Sequence, residues 1–172
     1  MLWLIIVSVV IVAFGFVVLI GAPYVPSRKV QIEQAFNELY KLTSSDVLVD
    51  IGSGDGIVLR AASKSGAHAV GYEVNPFLFL ISWLLAIKNR LIHVRFADFY
   101  MTHLPKNTTV IYVFTASRYV KNIERKIQRE VNRLGRPLKL IIYGNSIKER
   151  RAEKVVGAYK LYTFLPLQTD RA

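Results

Sequence analysis

The segment Asp46–Gly56, DVLVDIGSGDG, restricts the fold more than any other part of this 172-residue chain. A short apolar run of strand length, Val47–Ile51, enters three glycines spaced two apart, Gly52, Gly54 and Gly56. A helix-period stretch, Ile57–Ser65, follows directly. Glycine lets the backbone turn sharply and approach a ligand closely, so the segment reads as strand, tight turn and helix. The same alternation continues. Strands are expected at Ala69–Tyr72, Ile92–Phe96, Thr109–Phe114, Leu138–Tyr143 and, more weakly, Tyr159–Leu165. Helices are expected at Pro76–Lys88, where proline suits the first turn, and at Ser117–Leu134. Upstream, Ile32, Ala35, Phe36, Leu39 and Tyr40 recur at helical spacing over about 28–41. Alternating β and α elements predict an α/β fold: a Rossmann-like, doubly wound, mainly parallel sheet.

The chemistry of the glycine turn is set by its acids. Its spacing is GxGxG, not the GxGxxG of dinucleotide sites, and it lacks the GK[ST] of a phosphate loop. Asp50 and Asp55 make it a poor place for a pyrophosphate and a good one for a cationic ligand with an amino group. S-adenosylmethionine has a sulfonium, an α-amino group and no phosphate. Glu73 closes the next strand, 23 residues after Asp50, where doubly wound folds place an acid for ribose hydroxyls. Asp98 follows the third strand and is placed to accept from an adenine amino group, with Phe99 beside it to stack on the ring. The expected cofactor set is Asp50, Gly52, Ser53, Gly54, Asp55, Gly56, Glu73, Asn75, Asp98 and Phe99. The competing reading makes these turn glycines and helix-capping acids, and leaves Asn75-Pro76 as a turn and helix start. No catalytic base is assigned. The chain has no cysteine, which excludes disulfides, zinc–thiolate sites and a cysteine nucleophile. His68, His93 and His103 lack metal-ligand spacing, so no metal is expected.

Residues Leu2–Ile20 carry no charge. As a helix they would span about 28 Å at ~1.5 Å per residue, close to the ~30 Å hydrocarbon core. No basic n-region precedes them, and the run exceeds the usual apolar length of a signal peptide. A single-pass membrane anchor over residues 1–22 is therefore expected. Residues 23–45 read as a linker and an N-terminal helix, and residues 46–172 as the ligand-binding domain. Arg28 and Lys29 follow the run, so the folded domain is expected on the cytoplasmic side.

The formal net charge of +11 is uneven. Residues 1–100 hold eight basic and seven acidic residues, and residues 101–172 hold fifteen and five. Helix Ser117–Leu134 carries Arg118, Lys121, Arg125, Lys126, Arg129 and Arg133 beside its apolar stripe. That face suits anionic lipid headgroups, or else is simply solvated. Helix Pro76–Lys88, PFLFLISWLLAIK, is apolar nearly all round. It is expected either to touch the bilayer or the anchor, or to be deeply buried.

The sequence resembles the class I S-adenosylmethionine-dependent methyltransferases. More narrowly it is similar to the membrane-anchored lysine methyltransferases that modify the ATP synthase c-ring protein and the adenine nucleotide translocase. The residues that carry this are the apolar N-terminus, Pro23-Tyr-Val-Pro-Ser27, Val49-Asp-Ile-Gly-Ser-Gly-Asp-Gly56, Val70-Gly-Tyr-Glu-Val-Asn-Pro76 and Asp98 with its following aromatic. The resemblance covers most of residues 20–135 and implies that Asp50, Gly52, Gly54, Gly56, Glu73 and Asp98 are cofactor positions. The chain departs from the family at Phe99-Tyr100-Met101 and after Leu138, which bears on the substrate.

The expected activity is methyl transfer to a lysine amine of a membrane protein. Tyr24, Phe99, Tyr100 and Phe114 are candidates for an aromatic wall around the acceptor. Two other classes stand beside it: a methyltransferase for a lipid, lipophilic small molecule or RNA, and a non-catalytic membrane scaffold. Nucleic acid is the weaker partner, since an anchor would restrict access to RNA and no separate RNA-binding module is present. An Asn-Pro-Pro-aromatic tetrad, which would suggest base or glutamine amides, is absent after the fourth strand, where Phe114-Thr-Ala-Ser117 stands.

Overall fold

The computed structural model describes residues 1–5, 7–8 and 29–167. Most of the expected anchor and the Pro23–Ser27 linker, with Tyr24, lie outside the described residues. Among the described residues, no helix is long and apolar enough to cross a membrane.

Among the described residues, seven strands form one sheet: β1 (Val47–Ile51), β2 (His68–Glu73), β3 (Ile92–Phe96), β4 (Val110–Phe114), β5 (Leu138–Tyr143), β6 (Lys154–Val156) and β7 (Tyr159–Phe164). Their order is β3-β2-β1-β4-β5-β7-β6. The first five are parallel, while β7 pairs antiparallel with β5 and β6 antiparallel with β7. The sheet is thus doubly wound and mainly parallel. β6 goes beyond the expected strands. It is three residues long with Val155 exposed, too short for an alternating pattern to show.

The helices divide between the two faces. α1 (Lys29–Gln34) continues as a π turn over Ala35–Leu39, closed by Tyr40 N–H donating to Ala35 O at 3.0 Å. It packs with α2 (Ile57–Lys64) on one face, where Ile32, Phe36, Leu39, Val58 and Leu59 meet Leu48, Val110 and Tyr112. Residues before 46 therefore contribute to the core of the sheet domain. α4 (Ser117–Leu134) covers the other face, its stripe of Val120, Ile123, Ile127 and Val131 lying on Val49, Ile111, Leu140 and Ile142. Strands buried on both faces read as near-continuous apolar runs, which is why β1, β4 and β5 are legible in the sequence.

α3 (Pro76–Ala86) inverts the usual burial pattern. It lies on the α1–α2 face, where Ala86 joins the core. Its only fully buried residues are the small ones, Ser82 and Ala86. Its large apolar residues Phe77, Leu80, Ile81, Trp83, Leu84 and Leu85 are 43–56% exposed. Deep burial of this helix is thus overturned, because most of its large apolar residues have no part of the described domain to cover them.

Candidate functional site

The strand order reverses direction between β1 and β4, so their C-terminal ends flank the crevice where open α/β sheets bind ligands. Asp50 lies near the end of β1, beside Gly71 of β2 and Tyr112 of β4. The turn beyond it holds Gly52, Gly54 and Gly56 at φ of 72°, 56° and 79°. This is the left-handed region, which is strained for other residues. The turn is tied to β2 at several points. The Gly52 and Ser53 amides donate to Tyr72 O at 2.9 and 3.0 Å. The Gly54 amide donates to Glu73 Oε2 and the Asn75 amide to Glu73 Oε1, both at 2.8 Å.

Close packing explains the small residues here. A Cβ on Gly71 would lie 2.5 Å from Ser53 Oγ and 2.7 Å from Leu59 Cδ1. Gly71→Ala should therefore lower stability by about 1–3 kcal/mol, the cost of overpacking a fitted core, and thermal denaturation checks this. A Cβ on Gly56 would collide with Ser82 Oγ of α3. The small face of α3 is what allows the turn to pass beneath it.

The electrostatics are one-sided. Asp50 is buried, and among the described residues it has no cationic partner and its carboxylate accepts no hydrogen bond. Burial, reinforced by the nearby negative charges of Glu73 and Asp55, pushes its pKa well above the usual carboxylate range. Asp55 is half-buried, accepts from the Ile57 amide at 3.1 Å in a local turn before α2 and pairs with Arg60 at 3.3 Å. Glu73 is buried with both oxygens already accepting amide protons. Ser53 Oγ is buried without a hydrogen-bond partner. A buried acid lacking a counter-charge, beside a turn of left-handed glycines, fits a cationic cofactor such as S-adenosylmethionine. Asp50 would face its charged amino acid end, and Glu73 its ribose.

Three expected positions are held by local contacts. Asn75 Oδ1 accepts from the Phe77 and Leu78 amides at 3.0 and 3.3 Å, so its side chain is the N-cap of α3. Phe99 is in the core: its ring packs on Tyr72 at 6.3 Å and Tyr100 at 5.6 Å, with the Lys126 ammonium 5.8 Å away. Tyr100, next in sequence, is the exposed aromatic. Asp98 is exposed, and its Oδ1 accepts from the Tyr100 amide at 2.8 Å in a local turn.

Sequence reading missed Tyr143. β4 and β5 end in register, Phe114 opposite Tyr143, with their rings edge-on at 5.0 Å. Tyr143 also meets Tyr159 at 4.8 Å. The Asn145 side-chain amide donates to Thr115 O and joins the loops beyond both strands. Two adjacent predicted strands that each end in an aromatic were the available signal.

No protein-family model matches the chain. It is 39% identical over 113 residues to the Homo sapiens lysine N-methyltransferase of the ATP synthase c-ring protein, a match covering 63% of this chain and 47% of that protein. It is 31% identical over 114 residues to the adenine nucleotide translocase lysine N-methyltransferase of Mus musculus, covering 63% and 48%. The chain thus matches about half the length of these relatives. Among solved structures, an RNA methyltransferase from Salinibacter ruber in complex with S-adenosyl-L-homocysteine superposes with a TM-score of 0.72 at 21% identity, covering 86% of this chain and 98% of that one. The chain has the class I S-adenosylmethionine-dependent methyltransferase fold, and its matched segment is similar to the lysine N-methyltransferases of the ATP synthase c-ring protein and the adenine nucleotide translocase.

Proposed function

We propose that this chain is an S-adenosylmethionine-dependent methyltransferase, held at a membrane by its N-terminal apolar run, that methylates a lysine amine of a membrane protein. The observation that carries the cofactor reading is Asp50, an acid buried without a counter-charge at the end of β1. The lysine acceptor rests on the sequence similarity to lysine N-methyltransferases. The single-pass anchor and the cytoplasmic side rest on the uncharged Leu2–Ile20 run and on Arg28 and Lys29 after it.

When bound, the cofactor supplies an electrophilic methyl group on a sulfonium. The protein's part is alignment and desolvation, which together suffice for much of such a displacement. Glu73 ties the glycine turn to β2 through the Gly54 amide and holds the start of the next loop through the Asn75 amide, so ligand-facing backbone is positioned before binding. Phe114 and Tyr143, at the ends of β4 and β5, offer an apolar wall beside the crevice. Such a wall favours a neutral amine over an ammonium, as nucleophilic attack requires.

Titration calorimetry tests the cofactor reading. Glu73→Ala strands two amides and should weaken S-adenosylmethionine binding about 10- to 100-fold. No binding by the unsubstituted chain would overturn the reading and favour a scaffold. Incubating membranes with methyl-labelled cofactor tests the acceptor. Label in protein lysine is expected, and label only in lipid or RNA would overturn that assignment.

A further inference from the structure

The outer side of α3 is an apolar surface of unusual extent. Between Pro76 and Ile87 there is no charged residue, and Ile87 at its end is 60% exposed. The surface continues onto the sheet edge: Phe79 packs on Phe96 with ring centroids 5.6 Å apart, and Phe96 itself is 58% exposed. Contiguous exposed apolar area on this scale marks an interaction site. Exposed Lys88 and Arg90 stand at its C-terminal end, and neither joins an ion pair among the described residues.

We infer that the outer face of α3, with Phe96, docks into the interface of an anionic lipid bilayer. The basic rim decides between occupants. The uncharged run Leu2–Ile20 would offer Lys88 and Arg90 no counter-charge, and a second copy packed on the same face would bring a like-charged rim. Lipid phosphates supply what the rim lacks while acyl chains take the apolar side chains. The basic side of α4 is a weaker lipid surface than the sequence suggested. Lys126 and Arg133 are committed to Glu130, and α4 lies on the opposite face of the sheet from α3. α3 is capped by Asn75, two residues beyond Glu73, so docking would set the cofactor crevice next to the bilayer surface. The inference extends the membrane reading above and does not depend on the methyl acceptor.

The test uses the full chain with Trp3→Phe, leaving Trp83 as its sole tryptophan. The probe is a vesicle of phosphatidylcholine and phosphatidylglycerol, with part of the lipid brominated near the headgroup end of the acyl chains. Trp83 emission should fall at least twofold relative to unbrominated vesicles, and less in vesicles of phosphatidylcholine alone. Leu84→Glu should abolish the quenching while leaving cofactor binding intact. Emission unchanged by brominated lipid in sedimented, vesicle-bound protein would overturn the inference and place the chain's own N-terminal run or a second copy on the face. Failure of the chain to bind vesicles would overturn it too. Calorimetry with S-adenosylmethionine on the same sample reads the methyltransferase assignment separately.

Discussion

Asp50→Asn should stabilise the cofactor-free protein and weaken S-adenosylmethionine binding about 10- to 100-fold, the loss expected for a charge-assisted contact. The two effects share one cause. In the folded chain the Asp50 carboxyl is buried near Glu73 and Asp55, and its pKa is raised. The stability this group contributes is present below the ordinary Asp value and is lost as pH rises through the raised folded value. Above that value its ionised form is therefore a burden on the empty fold, and asparagine removes it. A gain of about 1 kcal/mol would raise Tm by about 2–4 °C in a domain of this size. A cationic ligand reverses the balance by favouring the carboxylate. Cofactor affinity should accordingly fall as pH drops through the raised Asp50 value, with proton release on binding where Asp50 is protonated in the free protein. Calorimetry in buffers of different ionisation enthalpy measures that release. A lower Tm for Asp50→Asn would show that the carboxylate has a stabilising partner in the empty state.

Glu130→Ala should be the most destabilising single change away from the crevice. Glu130 is buried on α4 and accepts from Lys126 Nζ at 2.9 Å, Arg133 Nη2 at 2.7 Å and the Leu104 amide at 3.1 Å, with His103 Nδ1 at 2.9 Å. Burial raises its pKa, but the bonds from Lys126, His103, Arg133 and the Leu104 amide outweigh burial and draw it down to about 2. Here the sign is opposite to Asp50: the stabilisation is present above the ordinary Glu value and disappears as pH falls through about 2. Removing the carboxylate leaves the nearly buried Lys126 ammonium and the Leu104 amide without their acceptor, an expected loss of about 3–5 kcal/mol. Tm should drop by about 10 °C. Because the contact secures the loop after β3, a Tm within about 2 °C of the parent would mean that this loop is held by other means.

Glu130 also shows where sequence reading stopped. It falls within the stripe of Ile123, Ile127 and Val131, with Lys126 four residues before it and Arg133 three after. Counting Lys126 and Arg133 as an outer basic face overlooked an acid on the inner one. Elements whose pattern is repeated over many residues were legible: β3, α4 and β5 have the expected bounds. Glycines and acids at strand ends could be placed because strand ends converge in this topology. Side-chain direction was not legible, since one backbone rotation decides whether Phe99 or Tyr100 turns outward. The exposure of α3 was equally hidden, because an apolar helix reads the same whether a core or a bilayer receives it.

The contact between Gly56 and Ser82 divides α3 into two inheritances. Its inner side is frozen, because any larger residue at 82 would press on the glycine turn. Its outer side touches nothing in the domain that the turn depends on. Descendants of such a chain can therefore rewrite the outer residues freely, from greasy to polar, and change what the surface of the fold presents without altering the glycine turn beneath it.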